Sequence, residues 1–235
     1  MAMLWRIPVL RERYCRSRFF VLSRLRNLDS GTTSSVLHSE YSKSHFKGYT
    51  SFKKRIGFLM NRVDSSIEAG HSKMKVLSIG PRYESELFGL LGLGFKKKNL
   101  RAIDTFSYSP MIEVGNVHNL EFQNSEFDLI LCGWMLAYSE DPELALSEMV
   151  RVLKPRGKMI ITWDVLSPIK FADLNNLSLD NKRNIEDSQT ILSSYTITYL
   201  LEKLPVRIFR LEIGKSEFNL SAEFITLILE KNGSQ

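Results

Sequence analysis

Between Met74 and Trp163, short apolar runs alternate with segments whose apolar residues recur every three to four positions. Lys75-Val76-Leu77-Ser78-Ile79-Gly80 predicts a buried first strand ending in glycine. Glu84 to Leu93 predicts a helix, Leu100 to Asp104 a second strand whose last residue is acidic, and Phe127 to Cys132 (FDLILC) a third strand. Pro142 to Leu153 predicts another helix, with Pro142 and Glu143 in its first turn, both favourable at an N-terminus. Lys154-Pro155-Arg156-Gly157 predicts a turn and Lys158 to Trp163 a further buried strand. Gln189 to Lys203 has a helical pattern, and Val206 to Ile213 and Ala222 to Leu229 alternate as two closing strands. Upstream, Phe52, Ile56, Leu59, Met60, Val63 and Ile67 predict an amphipathic helix within 46–69. Strands alternating with helices predict an α/β fold: a doubly wound, mostly parallel sheet covered on both faces. Ligands of such sheets sit beyond the carboxyl ends of the strands, where strand order reverses. The turn after the first strand, Asp104, and Gly133-Trp134 are therefore expected to open on one crevice.

Charge changes the picture only at the N-terminus. The chain of 235 residues carries a formal charge of +6, and residues 1–28, with seven Arg and the single acid Glu12, account for all of it. The remaining residues hold equal numbers of the two signs, so nucleic acid is not a favoured partner of the body. The Arg do not collect on one helical face, and Pro8 would interrupt an early helix. Four readings of this segment stay open: an arm for anionic membrane lipid, a nucleic-acid arm, an Arg-rich mitochondrial presequence, or a solvated extension packing loosely on the body. Residues 29–45 are rich in Ser and Thr and predict a linker, giving an extension over 1–45 and a main domain over 46–235.

Several classes are excluded by what is missing. No run of 18 apolar residues exists to form a spanning helix. Two Cys, at 15 and 132, make no disulfide framework and suit a reducing, cytoplasmic setting, with a mitochondrial one if residues 1–28 are a presequence. His38, His45, His71 and His118 show no metal-ligand spacing, so no metal is expected. There is no P-loop, no G-x-G-x-x-G and no G-x-S-x-G.

From Lys75 to Trp163 the residues resemble class I S-adenosylmethionine-dependent methyltransferases. The resemblance rests on Asn119-Leu120-Glu121-Phe122, on Ser125-Glu126-Phe127-Asp128-Leu129-Ile130, on Asp141-Pro142, and on Ala145-Leu146 through Arg151-Val152-Leu153-Lys154-Pro155-Arg156-Gly157. It implies a Rossmann-like sheet ending in a hairpin with one antiparallel strand, behind an N-terminal helical extension. It further implies S-adenosylmethionine as cofactor and methyl transfer to a small-molecule or glycan-precursor acceptor. Gly80 would let the backbone approach the cofactor's amino-acid tail, and Asp104, 24 residues on, would accept hydrogen bonds from the ribose hydroxyls. Asn116 falls where the family usually has an Asp near the adenine, with Val117 beside it, and an amide oxygen can accept the same bond. Trp134 would line the methionine end.

Two departures open a second reading. The Gly-rich first loop is reduced to Gly80-Pro81-Arg82-Tyr83-Glu84, matching a G-x-R-x-x-x-E variant through Gly80, Arg82 and Glu86. There Arg82 would pair with the cofactor carboxylate, or else Arg82 and Glu86 form an exposed pair. Ala137-Tyr138 stands where relatives often carry Glu-His, which removes a base. The catalytic candidates are His118, Tyr138 and Asp164, and residues 165–188 with the 46–69 helix are expected to form the substrate lid. The alternative is a non-catalytic descendant of the fold acting as a binding or scaffold protein.

Overall fold

The computed structural model describes residues 2–25, 49–67, 70–136, 139–165, 203–215 and 223–233. The predicted linker, Tyr138, residues 166–188 of the predicted lid and nearly all of the 189–203 helix lie outside these residues. Two compact units divide the chain, at Met1–Asn116 and Val117–Gln235.

In the first unit, β1 (Val76–Ile79) is buried at all four positions and pairs in parallel with β2 (Leu100–Asp104), Val76 opposite Leu100 and Ile79 opposite Ile103. A parallel neighbour needs a crossover. Three helices precede it: α1 (Ala2–Trp5), α2 (Pro8–Leu25) and α3 (Tyr49–Ser66). The crossover itself is α4 (Glu84–Leu93), closed by Gly94 in the left-handed conformation at φ 102°. The α4 sequence ESELFGLLGL is apolar on nearly every side, which a helix tolerates only when covered all round. The cover comes from α1, α2 and α3, all of which pack on it. Phe88 meets the rings of Trp5 and Tyr14 at 4.6 and 5.3 Å, and Gly92 leaves room for the backbone of Trp5. A short strand, β3 (Glu113–Val114), not foreseen from the pattern, adds in parallel to β2.

The N-terminal segment therefore departs from the loosely packed extension. Pro8 does end the first helical stretch, but it then opens α2 at the position where its missing N–H costs nothing. Arg11, Glu12, Cys15, Phe19 and Ser23 of α2 are buried at helical spacing. Arg11 pairs with Glu12 at 3.1 Å, and Glu12 accepts a hydrogen bond from the Ser85 hydroxyl at 2.6 Å. Burial pushes the Cys15 thiol up to about 12, so it behaves as a small core residue rather than a nucleophile.

The second unit holds β4 (Phe127–Gly133), α5 (Pro142–Val152), β5 (Leu153–Val165), β6 (Val206–Lys215) and β7 (Glu223–Lys231). β4 and β5 are parallel, whereas β7 runs antiparallel to both β5 and β6. Asp141 caps α5 by accepting the Leu144 N–H at 2.9 Å. Ala145, Leu146 and Met149 of α5 are fully buried, as are Leu129–Leu131 of β4 and Met159–Ile161 of β5. At the other end of α5, the Lys231 ammonium donates to the carbonyls of Val150 and Leu153, both at 2.7 Å. The 154–157 turn is corrected: those residues open β5 as an irregular first stretch. Arg156 sits at φ 62° and the register slips between Phe127 and Leu129. The strand order is β3-β2-β1 in the first unit and β4-β5-β7-β6 in the second, the mostly parallel α/β arrangement expected, with β7 the antiparallel strand. Among the described residues no helix is long and apolar enough to cross a membrane.

Candidate functional site

The predicted loop and acid meet at the carboxyl ends of β1 and β2, inside the first unit. β1 ends at Gly80, whose φ of 66° turns the chain out of the sheet while its N–H still bonds the Ile103 carbonyl at 2.9 Å. Arg82 follows at φ 44°, an unusual value for a residue with a side chain, and a place where backbone strain is held. Its N–H donates to Asp104 Oδ2 at 3.1 Å, so the strand-two acid fixes the loop directly. Asp104 is half-buried, its Oδ1 receives the Thr105 hydroxyl at 3.4 Å, and its carbonyl accepts the Gly115 N–H at 2.9 Å. A carboxylate offers about four acceptor positions, so two such contacts leave capacity for further donors.

Glu86 is not half of an exposed pair. It is 4% exposed and its Oε1 receives the Ser78 hydroxyl at 2.6 Å, across from β1. Burial raises its carboxyl to about 7; the Ser78 hydrogen bond opposes the rise and the Asp104 charge adds to it. Glu86 thus ties α4 to β1 beneath the loop.

Sequence reasoning missed the neighbouring cluster. Glu84 is fully buried, and the Arg18 guanidinium from α2 donates to both its oxygens, from Nε at 2.5 Å and Nη2 at 2.8 Å. Ser109 adds its hydroxyl at 2.5 Å, and the Glu84 N–H donates to the Tyr108 hydroxyl at 2.9 Å. That hydroxyl does for the first turn of α4 what a capping side chain does elsewhere, since Tyr83 supplies no such bond. Tyr83 is itself fully buried, edge-on to Phe19 of α2 at 5.9 Å, and Phe19 meets Tyr108 at 4.8 Å. The signal was present in the i, i+4 spacing of Arg11, Cys15, Phe19 and Ser23, but charged residues among them masked it as a solvated arm.

Asn116 is exposed at the end of the first unit. Val117 opens the second unit and is buried. Within the second unit, Trp134 follows β4 at φ 59° and its N–H bonds the Thr162 carbonyl at 2.6 Å. His118 Nε2 lies 2.8 Å from the Ser139 hydroxyl and 3.4 Å from the Asp141 N–H, which anchors it beside the start of α5. Asp164 does not follow a strand: β5 continues to Val165, with Asp164 opposite Phe224, because pairing with β7 extends to Glu223. The motif residues bind each other. Arg151 donates to the Leu120 and Phe122 carbonyls at 2.7 and 2.9 Å, to Asn124 at 2.8 Å, and to Glu148. Glu148, held below the usual carboxylate range by Arg151, accepts the Leu120 N–H at 2.8 Å, and Lys154 pairs with Asp128 at 2.8 Å. Among the described residues no cluster of His, Cys, Asp and Glu is arranged to hold a metal.

Residues 91–161 match the family described as a methyltransferase domain. Over 85 residues the chain is 35% identical to a demethylmenaquinone methyltransferase of Desulfitobacterium hafniense (strain Y51), a stretch covering 34% of this chain and 33% of that enzyme. The chain thus matches about a third of that relative's length. Among solved structures, a protein from Pyrococcus horikoshii OT3 is similar over 77% of this chain and 91% of its own, with 17% identity and a TM-score of 0.57. A phosphoethanolamine N-methyltransferase of Haemonchus contortus, in complex with phosphomonomethylethanolamine and S-adenosylhomocysteine, is similar over 74% of this chain and 52% of its own, with 13% identity and a TM-score of 0.55.

Proposed function

We propose that the chain, similar over residues 91–161 to a methyltransferase domain and in fold to a solved N-methyltransferase, binds S-adenosylmethionine and transfers the methyl group to a small-molecule acceptor. The observation that carries this reading is Asp104, half-buried at the end of β2 and bonded to the backbone of the loop that leaves β1. Its carboxylate would accept the two ribose hydroxyls, Gly80 would admit the cofactor's amino-acid tail, and Arg82 would meet the tail's carboxylate. Asn116 is assigned to the adenine, and Val117 and Trp134 to the apolar walls. The sulfonium supplies an already activated methyl carbon, so the protein's own part is to position the acceptor and exclude water. The names of the relatives, one for demethylmenaquinone and one solved with phosphomonomethylethanolamine, support a small acceptor.

Calorimetric titration with S-adenosylmethionine and S-adenosylhomocysteine tests the assignment. The native chain is expected to bind both, and Asp104→Ala to bind at least about tenfold more weakly, since each hydrogen bond to a charged group contributes about 1.5–3 kcal/mol. No binding at about 1 mM ligand, or equal binding by the variant, would overturn the proposal and favour a binding protein built on the same fold.

A further inference from the structure

The inner face of α2 is absorbed by α4, but its outer face is not, and its composition is unusual. Val9, Leu10, Phe20, Val21 and Leu25 are between 38% and 73% exposed, and Arg13, Arg16 and Arg24 stand exposed among them. At 100° per residue the five apolar side chains, with Arg13 and Arg24, share the half of the helix opposite Cys15 and Phe19, and Arg16 borders it. The one acid of the helix, Glu12, is 1% exposed and engaged with Arg11 and Ser85, so the outer face carries positive charge alone. Arg6, just before α2, is exposed as well.

We propose that this outer face docks on an anionic lipid bilayer, with α2 lying in the plane of the interface. Two features select that partner over others. Charge complementarity requires an anionic surface. The apolar residues interleaved with the Arg gain nothing against a hydrated phosphodiester backbone, but they can enter the boundary between headgroups and acyl chains. Arg suits that position because its aliphatic stem covers apolar surface while the guanidinium reaches a lipid phosphate. A helix mixing exposed apolar residues with basic ones lies on a membrane rather than through it, in keeping with the absence of a spanning helix among the described residues. Buried apolar area and attraction to anionic lipid add in such binding, and this face offers both. Because α2 is pinned to α4 through Arg18 and Glu84, the bilayer would meet a preformed helix and no ordering cost would arise on docking.

Cosedimentation of the full chain with phosphatidylcholine vesicles, with and without phosphatidylglycerol, tests this. Binding is expected to the anionic vesicles only and to weaken as salt rises. Each Arg at an anionic surface is worth about fivefold in affinity, so R13Q/R24Q is expected to bind about 25-fold more weakly. L10S/V21S, which leaves the charge unchanged, is expected to bind several-fold more weakly as well. Circular dichroism and cofactor titration check that both variants are folded. No vesicle binding, equal binding to neutral and anionic vesicles, or native binding by L10S/V21S would overturn the proposal. So would tight binding to a DNA duplex that L10S/V21S leaves intact, since that is the behaviour of a polyanion site.

Discussion

Replacing Arg18 by Met removes a guanidinium that donates to both oxygens of Glu84 at 2.5 and 2.8 Å. The Glu84 carboxylate has no exposed surface and keeps the Ser109 hydroxyl as a neutral donor. Removing one partner of a fully buried pair costs about 3–5 kcal/mol, because the charge left behind is uncompensated. The Arg18 side chain is 29% exposed, so water can reach the vacated space, and about 2–3 kcal/mol is the expected loss. For a domain of this size that is a fall in Tm of about 4–12 °C. The effect should be asymmetric. Glu84→Gln strands a cation that is already partly hydrated and keeps an oxygen for Ser109, so it should cost about 1 kcal/mol. The double variant R18M/E84Q, with no buried charge left, should lie closer to E84Q than to R18M. Thermal and urea unfolding of the three variants reads these differences. If R18M matched the native chain within about 0.5 kcal/mol, or the double variant were less stable than R18M, the buried carboxylate would not be what makes α2 part of the domain.

Two further outcomes follow from the same region. The Glu86 carboxyl, raised to about 7 by burial, holds a proton in the folded state that the unfolded chain releases near its ordinary value of 4.5. The stability this contributes is present below that ordinary value and is lost as pH rises through about 7, so Glu86→Gln should lose less stability than the native chain between those limits. Urea midpoints across that range check it, and identical slopes would count against a buried protonated Glu86. Gly92→Ala would place a Cβ 2.9 Å from the Trp5 carbonyl carbon and 3.0 Å from the Arg6 nitrogen, both backbone atoms that cannot swing aside. The variant should free the N-terminal segment, seen as several-fold faster tryptic cleavage within α2; an unchanged rate would show that Trp5 does not rest on α4.

The local pattern specified the elements whose apolar residues are contiguous or regularly spaced. The limits of α4 and β2 are those expected, and β1 and α5 differ by a residue or so, because each is bounded by Gly, Pro or an acid that acts within its own segment. The motifs that carry the family resemblance were readable for a related reason. Glu148, Arg151, Asp128 and Lys154 bind one another and the 120–124 backbone, so the signature records how the second unit is held together rather than what it binds. Asp104 and Gly80 could be singled out because strand ends are places a sequence marks.

What needed the tertiary structure was whatever depends on residues distant in the chain. Nothing local distinguishes a solvated Arg11-Glu12 from a buried one, and it takes the Ser85 hydroxyl, 73 residues away, to join Arg11 in satisfying Glu12 in the core. The same holds for Arg18 with Glu84 and for Glu86 with Ser78: partners far along the chain decide whether each group is held in the core, and burial is what raises the Glu86 carboxyl. The extension of β5 through Asp164 likewise follows from its pairing with β7. Periodicity and turn chemistry act over a few residues and are written in the sequence directly. The burial of a charge is settled by its distant partners, and at the N-terminus those partners turned a basic arm into a wall of the domain.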